Sequence, residues 1–433
     1  MVLVMMFLFL FSTKVVTAID PKTVKPFFDL LEVPVGHLEP AEHEWAQHLR
    51  ENLEADIAYW RQRAPLKANA AMQLYDDLMR LHNLKAVHQL VLIYKNQIYY
   101  PFAQDPHRRY PPDSSAPQIH AFYNHLQPLL DRGDLKLPDV LFVHNVEDNQ
   151  PRWCGPGRNC SAPLLSLIKT VDAATGNDTD ILIPQFLYVA RSSYQYPWHL
   201  KKDVAFFRGT PFCSNWWLGK FKPECETPCT RAWLAYLSMR DEDQGRGQSV
   251  LDVALTAPYK GVSTCVNKAP PVMKTVPLAN HTYYKYLIHL EGHTASFRLD
   301  MLLHTNSLVL LQNQPFLAHY SRSLKPDVHF VPFWNTTSRG REDIYDVVQA
   351  VRHKDSVYPE EIQHMIREGQ SFAVRFLTLA ARVRYLRDAL LAYKSLFSDM
   401  DPFIEELVVR MRERGFQIPR DIAGSSDRRK RRK

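Results

Sequence analysis

The segment 284–312, YKYLIHLEGHTASFRLDMLLHTNSLVLLQ, constrains the fold more than any other part of the chain. Its apolar run at 286–290 is bounded by a glycine, which predicts a buried strand. Gly292 then allows a sharp turn, since it lacks the Cβ that restricts φ. Thr294 and Ser296 are suited to capping the helix that follows. A second apolar run at 307–311 predicts the next strand, so the segment is typical of a βαβ unit.

The start of this predicted helix is a candidate anion site. A helix N-terminus offers free N–H groups and positive dipole charge to an anion, and Arg298 can add a bidentate phosphate contact. An ordinary βαβ unit with a solvated arginine explains the segment equally well. A second strand runs into a glycine turn at Arg208-Gly209-Thr210, and Arg231 opens the helix after it. Two such corners in one domain favour an anionic ligand such as a nucleotide diphosphate.

An acidic residue in the first half of the chain is the candidate catalytic base. The predicted strand 140–143 runs out into Asn145-Val146-Glu147-Asp148. In parallel sheets, residues at the carboxyl ends of strands face the crevice where ligands bind. We therefore predict that Asp148 faces the anion site, the alternative being an aspartate that only forms a turn.

Length and pattern predict two α/β domains. A chain of 433 residues can form two sizeable cores, and 12% aromatic residues indicate a globular protein. Strands alternate with helices in both halves, which predicts mostly parallel sheets. The predicted divisions are a domain at 19–200, a domain at 201–358, C-terminal helices at 359–415 with a possible break at Gly369, and a basic tail at 416–433.

The charge is mild and does not imply nucleic acid as a partner. The net charge is +7, and much of it lies in the basic run 428–433. Such a tail is a solvated end, a contact to an anionic surface or a processing site.

The N-terminus indicates the secretory pathway. Residues 2–11 are apolar, and Val16-Thr17-Ala18 supplies small residues at a cleavage site, which predicts a signal peptide at 1–18. The usual basic n-region is missing, so an uncleaved anchor stays open. No later stretch predicts a membrane span. Four sequons fit a lumenal or secreted glycoprotein and place candidate glycans on Asn159, Asn177, Asn280 and Asn335.

Six cysteines in an oxidising compartment predict disulfides. Cys154 and Cys160 are close enough to clip one loop. The remaining four allow three pairings or, alternatively, a zinc site; they are Cys213, Cys225, Cys229 and Cys265. Two D-x-D triplets, 178–180 and 241–243, can hold a divalent metal against a nucleotide diphosphate or simply lie in solvated loops. His289 and His293 are interpreted as structural or solvated, because Gly292 between them argues against one helical face.

Several segments together resemble glycosyltransferase family 90. They are DVAFFRGT at 203–210, the segment 284–312 and LKPDVHFVPF at 324–333, with supporting matches PDVLFVHNVED at 138–148, YPWHLKKD at 196–203 and GQSFAVRFLT at 369–378. That family includes the Rumi-like protein O-glucosyltransferases of the endoplasmic reticulum and the fungal capsule-associated xylosyltransferases.

The resemblance implies a GT-B fold, with two Rossmann-like domains facing a central cleft. It also implies a UDP-glucose or UDP-xylose donor, inversion at the anomeric carbon, no required metal and a lumenal monomer. Asp148 falls at the position of the family's catalytic aspartate, and Thr210 stands where members more often have serine. The implied donor-binding residues are Arg208, Gly209, Thr210, Arg231, Gly292, His293, Thr294, Ala295, Ser296, Phe297 and Arg298.

Departures from the family pattern leave the sugar and the acceptor open. The stretch between Thr210 and Arg231 is longer than expected, and Asn149-Gln150 replace an aromatic residue that often follows the aspartate. The chain ends in a basic run instead of a KDEL-type signal, so Golgi residence or secretion also stays open. The acceptor is a protein, such as an EGF-like domain, or a glycan. The rival hypotheses are a metal-dependent transferase of the GT-A type and a non-catalytic glycan- or nucleotide-binding secretory protein.

Overall fold

The computed structural model describes residues 30–418, except 83–85, 104, 106–109, 114, 149–152, 156, 173–175, 215–228, 244–249, 260–268 and 335–342. The predicted signal peptide, residues 419–433 of the basic tail, Asn149-Gln150 and the sequon at Asn335 lie outside these residues.

The described part of the chain is a mixed α/β structure with a helical C-terminal region. In chain order its strands are β1 (Leu31–Pro34), β2 (His88–Tyr94), β3 (Gln97–Tyr99), β4 (Val140–Asn145), β5 (Leu165–Ser166), β6 (Lys169–Asp172), β7 (Gly176–Asn177), β8 (Ile181–Leu182), β9 (Ser192–Gln195), β10 (Lys202–Gly209), β11 (Leu251–Leu255), β12 (Tyr284–His289), β13 (Leu308–Gln312), β14 (Phe316–Leu317) and β15 (Val331–Phe333). The helices are α1 (Glu42–Leu49), α2 (Ala55–Arg61), α3 (Asn69–His82), α4 (Pro117–Arg132), α5 (Thr230–Asp243), α6 (Leu278–His281), α7 (Arg298–Leu302), α8 (Asp343–Val357), α9 (Pro359–Phe376), α10 (Leu379–Lys394) and α11 (Met400–Glu413).

The first half contains a five-stranded mixed sheet in the order β3-β2-β4-β5-β8. Strand β2 runs antiparallel to both β3 and β4, whereas β4, β5 and β8 are parallel. The expectation of a mostly parallel sheet is therefore wrong for this half. The tight turn at Lys95 and Asn96, whose φ angles of 50° and 59° close a hairpin, makes β2 and β3 antiparallel, and β4 also pairs with β2 in the antiparallel direction.

The second half contains a fully parallel sheet in the order β11-β10-β12-β13-β15. The sheet is covered on both faces. Successive residues of a strand point to opposite faces, and Phe206 and Phe207 accordingly pack into different hydrophobic clusters. The first strand, β10, has β11 on one side and β12 on the other, so the chain changes direction across the sheet between them. In open parallel sheets, ligands bind at the carboxyl ends of strands at such a switch point.

The C-terminal helical region is divided at a place that the sequence did not indicate. Helix α9 ends at Phe376, and the Thr378 hydroxyl accepts a bond from Ala381 N to start α10. Gly369 does not break α9, contrary to expectation. A Cβ at this position would lie 3.0 Å from the His329 carbonyl oxygen, so the glycine allows close packing.

Helices α10 and α11 pack back against the first half of the chain. Trp45 Nε1 donates to Asp388 on α10 at 2.9 Å, and the Tyr94 hydroxyl donates to Glu405 on α11 at 3.0 Å. Strand β14 also pairs with β6, so the two halves are connected at several places.

Two disulfides lie within the described residues. The predicted Cys154–Cys160 bond is confirmed. Cys213 bonds to Cys229, which selects one of the three pairings and excludes a zinc site made by all four remaining cysteines; Cys225 and Cys265 lie outside the described residues. Asn159 and Asn177 are exposed, and Asn280 is half-buried. Within the same residues, no helix has the length and apolar character needed to cross a membrane.

Candidate active site

The carboxyl ends of β10 and β12 bring the two predicted arginine corners together at the switch point. The segment 292–297 is irregular, and α7 begins only at Arg298 and has five residues. The predicted helix is thus shorter and starts later than expected. Because so short a helix has few aligned peptide dipoles, affinity for an anion here would depend on side chains.

Arg231 ties the two corners to each other. It is the second residue of α5 and is only 4% exposed. Its Nε donates to the Glu291 carbonyl at 2.7 Å, and its Nη1 donates to the Thr210 carbonyl at 2.9 Å. The carboxyl end of β10 is therefore fixed against that of β12.

Arg298 lies against the same corner from the other side. Its Nη1 donates to the Arg208 carbonyl at 2.8 Å, and its guanidinium carbon lies 4.9 Å from the centre of the Phe207 ring. A Cβ on Gly209 would lie 2.7 Å from Phe207 Cζ and 3.2 Å from Arg298 Nη2. Only glycine fits this position without displacing both side chains.

These two arginines are charged groups in a poorly solvated place. Burial, together with the charge of the neighbouring Arg298, lowers the pKa of Arg231 to about 9. Arg298 keeps partial access to solvent, yet desolvation still lowers its pKa to about 10. Among the described residues, neither guanidinium forms an ion pair. Both donate to backbone carbonyls instead. An anion bound here would supply the missing negative charge.

Arg208 has a different environment from the other two arginines. It forms an ion pair with Asp252 on β11 and also donates to the Asp252 carbonyl at 2.9 Å. Its guanidinium carbon lies 4.7 Å from the Phe206 ring centre, whereas Arg231 and Arg298 lie near Phe207. The Arg208 charge is thus already compensated and joins β10 to β11.

The predicted base meets the predicted anion segment. Asp148 is half-buried in the loop that leaves β4, and the Thr294 hydroxyl donates to Asp148 Oδ1. The carboxylate also acts on Arg231, whose pKa its charge raises, although burial outweighs this effect. The arrangement therefore combines a carboxylate with two guanidinium groups at the carboxyl ends of β10 and β12.

The other residues of the segment 292–298 lie around these groups. Gly292 N donates to the Thr294 carbonyl at 2.7 Å, and the Ser296 carbonyl is 2.9 Å from Nε2 of the buried His289. His293 is exposed, with its ring 4.9 Å from that of Phe212. Ala295 is half-buried, and Phe297 faces Tyr188 at 6.4 Å between ring centres.

The sequence did not identify Glu291, Phe212 and Tyr188 as neighbours of the site. Glu291 is fully buried, and its Oε1 accepts a bond from the Ser214 hydroxyl at 2.9 Å. The sequence did carry a signal for Glu291, which is an acidic residue between an apolar run and a glycine. The two aromatic residues come from distant loops and carried no such signal.

The first D-x-D triplet has a structural role. Asp178 Oδ2 accepts from Thr170 N at 2.6 Å, and Asp180 Oδ2 accepts from the Ser166 hydroxyl at 2.5 Å. Asp241 of the second triplet is buried on α5. His289 is buried with a pKa lowered to about 3 by desolvation, while His293 is exposed, so they do not form a pair. No group of three His, Cys, Asp or Glu residues suited to a metal ion was found in the described part of the chain.

The fold and site define an α/β protein whose switch point combines a candidate anion site with an acidic residue. The sequence model of the family described as Glycosyl transferase family 90 matches residues 126–424, and the chain belongs to this family. It is 26% identical to Protein O-glucosyltransferase 1 of Bos taurus over 289 residues, which are 61% of this chain and 64% of that protein. It is 25% identical to the O-glucosyltransferase rumi of Drosophila pseudoobscura pseudoobscura over 60% of this chain and 62% of that protein. The matches thus span less than two thirds of either relative.

Proposed function

We propose that this glycosyltransferase inverts the configuration at the anomeric carbon as it moves glucose or xylose from a UDP-sugar to an acceptor hydroxyl. The observation that carries the proposal is the Thr294–Asp148 hydrogen bond beside Arg231 and Arg298. It puts a candidate base next to two guanidinium groups that form no salt bridge with another described residue. A single displacement needs no more than one base and one stabilised leaving group.

In the proposed mechanism, Asp148 removes the proton of the acceptor hydroxyl as its oxygen attacks the anomeric carbon. The bond between that carbon and the β-phosphate oxygen breaks, and its electron pair leaves with UDP. Arg231 and Arg298 stabilise the charge that grows on the diphosphate. Because these guanidinium groups supply positive charge, the step does not need a divalent metal.

The proposed architecture is GT-B, with a cleft between a domain at 19–200 and a donor domain at 201–358. Two five-stranded sheets, one in each half, support this division, and the doubly wound order of the second suits a nucleotide. Of the helices at 359–415, α10 and α11 would complete the first domain, since they pack on it, whereas α9 packs on the second through Ile362, Met365 and Ile366.

The proposed setting is the lumen of the endoplasmic reticulum, or a later part of the secretory pathway. Two disulfides and the exposed sequons at Asn159 and Asn177 support an oxidising compartment. The relatives are named as protein O-glucosyltransferases, which favours a protein acceptor, such as an EGF-like domain, over a free glycan. We propose that the enzyme acts as a monomer.

The test is UDP release from UDP-glucose and UDP-xylose in turn, with a folded EGF-like domain as acceptor. Asp148→Asn should lower transfer by roughly 10²–10⁴-fold, the usual contribution of a positioned base, while UDP affinity stays unchanged. Asp401→Asn, the same change on the exposed face of α11, is the control. Normal turnover by Asp148→Asn would refute the assignment. Activity lost on exhaustive chelation would favour the metal-dependent alternative, and UDP binding without transfer to any acceptor would favour the non-catalytic one.

A further inference from the structure

A disulfide bond connects the two elements that form the first arginine corner. Cys213 follows the carboxyl end of β10, and Cys229 directly precedes α5, which begins at Thr230. Arg231 is therefore two residues from one end of this bond. The stretch that the bond encloses is also the one that departs from the family pattern by its length.

The residues 210–214, which we call the 210–214 strap, pass in front of the carboxyl end of β12. The Ser214 hydroxyl donates to Glu291 Oε1 at 2.9 Å, and the Phe212 ring lies 4.9 Å from the ring of His293. Both contacts lie just beyond the last residue of β12. The strap therefore adjoins the segment proposed for the diphosphate.

The 210–214 strap also supplies a carbonyl that orients Arg231. The Thr210 carbonyl accepts from Arg231 Nη1 at 2.9 Å and from Phe212 N at 2.8 Å. The same guanidinium donates through Nε to the Glu291 carbonyl at 2.7 Å. The position of its charge thus depends on the strap and the end of β12 keeping a fixed separation.

Electrostatic repulsion opposes this fixed arrangement. The charge of Arg298 contributes to the lowered pKa of Arg231, so the two guanidinium groups are close enough to repel each other. The strap lies at the surface, where Phe212 is 49% exposed, and its hydrogen bonds are individually weak. Cys229, by contrast, is fully buried in the apolar cluster that contains Trp233. The disulfide anchors a surface segment to the core of the second half.

We infer that the Cys213–Cys229 bond is a positioning element for Arg231, an inference that rests on the proposed function. The bond restricts the 210–214 strap in the ligand-free protein, so the guanidinium is already in place when the diphosphate binds. Without the bond, the strap has more conformations, and UDP must order it on binding. The affinity for the donor therefore depends on the oxidation state of these two cysteines.

The first test measures UDP affinity by calorimetry for Cys213→Ala/Cys229→Ala. The affinity should fall about tenfold, because ordering the backbone of a single residue costs about that factor. Cys154→Ala/Cys160→Ala is the matched control. It removes the other disulfide, which also has one fully buried cysteine, and should leave UDP affinity unchanged.

The second test asks whether the bond acts through Arg231. Removal of the bond should weaken UDP binding when Arg231 is present and have no further effect in Arg231→Met, so the two losses should be non-additive. A disulfide that supported the site in another way would lower UDP affinity equally in both backgrounds.

Three results would overturn the inference and leave the proposed function standing. They are unchanged UDP affinity in Cys213→Ala/Cys229→Ala, an equal loss in Cys154→Ala/Cys160→Ala, and an equal loss with and without Arg231. Wild-type protein that does not bind UDP would overturn the proposed function, and the inference with it.

Reduction replaces mutation if Cys213→Ala/Cys229→Ala does not fold. A protein whose other four cysteines are alanine is then compared before and after treatment with dithiothreitol. Each molecule of this dithiol gives two electrons and two protons to the Cys213–Cys229 bond, which becomes two thiols, and itself closes to a cyclic disulfide. The same tenfold loss of UDP affinity is expected, and an unchanged affinity would contradict the inference.

Discussion

Replacement of Arg298 by methionine should strongly weaken UDP binding and hardly change the stability of the ligand-free protein. Methionine keeps an unbranched side chain of similar reach and removes the charge. The usual result for a buried arginine is different, because truncating one partner of a buried ion pair costs about 3–5 kcal/mol. Arg382 provides this contrast, since it is fully buried and pairs with Asp300 at 2.7 Å.

The expected stability change follows from three opposing contributions. The lowering of the Arg298 pKa from its ordinary value to about 10 means that the folded state disfavours the charged form by about 3 kcal/mol, and methionine removes this penalty. Against it stand the bond to the Arg208 carbonyl, about 1.5–3 kcal/mol, and the contact with Phe207, about 0.5–1 kcal/mol. The contributions cancel to within about 1 kcal/mol, so the melting temperature should stay within about 3 °C.

The measurement combines thermal melting of the ligand-free protein with UDP calorimetry for Arg298→Met, Arg382→Met and wild type. UDP affinity of Arg298→Met should fall roughly 30- to 100-fold, equivalent to about 2–3 kcal/mol of charge-assisted hydrogen bonding. Arg382→Met should instead melt at a much lower temperature. A large loss of stability in Arg298→Met, or unchanged UDP affinity, would refute the view that its charge is kept for an anion.

Two further predictions concern the glycine corners and the buried histidines. Gly209→Ala should cost about 1–3 kcal/mol of stability, because its Cβ would meet Phe207 Cζ at 2.7 Å, whereas Gly292→Ala, with a nearest contact of 3.4 Å, should cost far less; equal melting temperatures would contradict this. Burial lowers the pKa of His144 and of His289 to about 3, so both are neutral in the folded protein. Their contribution to stability is complete above pH 6.5 and is lost as the pH falls toward 3, by up to about 1.4 kcal/mol per pH unit for each histidine. Urea unfolding at pH 7, 6 and 5 should show this slope, and His144→Phe should reduce it; an identical slope in that variant would exclude His144.

Local pattern predicted three strands of the parallel sheet, because each is an apolar run between polar or glycine residues, whereas β11 was missed. Strands β10, β12 and β13 lie within two residues of the predicted ends. Helix α8 was missed, although Ile344, Val348 and Val351 recur at helical spacing. The antiparallel pairing of β2 with β4 was not predicted, since β4 lies far along the chain and pairing depends on tertiary structure.

The candidate site was predicted residue by residue, but its contacts were not. Asp148 and Thr294 are 146 positions apart, and nothing in either segment identifies the other. Arg208 was grouped with Arg231 and Arg298 because all three lie at glycine corners. Its charge is compensated by Asp252 on the neighbouring strand, a partner that only the register of β10 and β11 defines.

The buried pair of Arg382 and Asp300 helps to explain how the unpaired Arg298 is held in position. Asp300 lies two residues after Arg298 on α7, and it is held by Arg382 and by the Tyr320 hydroxyl. Arg382 also donates to the Gln185 carbonyl at 2.6 Å, so α7 is attached to both α10 and the first half. An unpaired guanidinium would otherwise move toward water, because desolvation of its charge is unfavourable. The compensated pair at Asp300 keeps α7 in place, and it thereby holds Arg298 at the position proposed for the diphosphate.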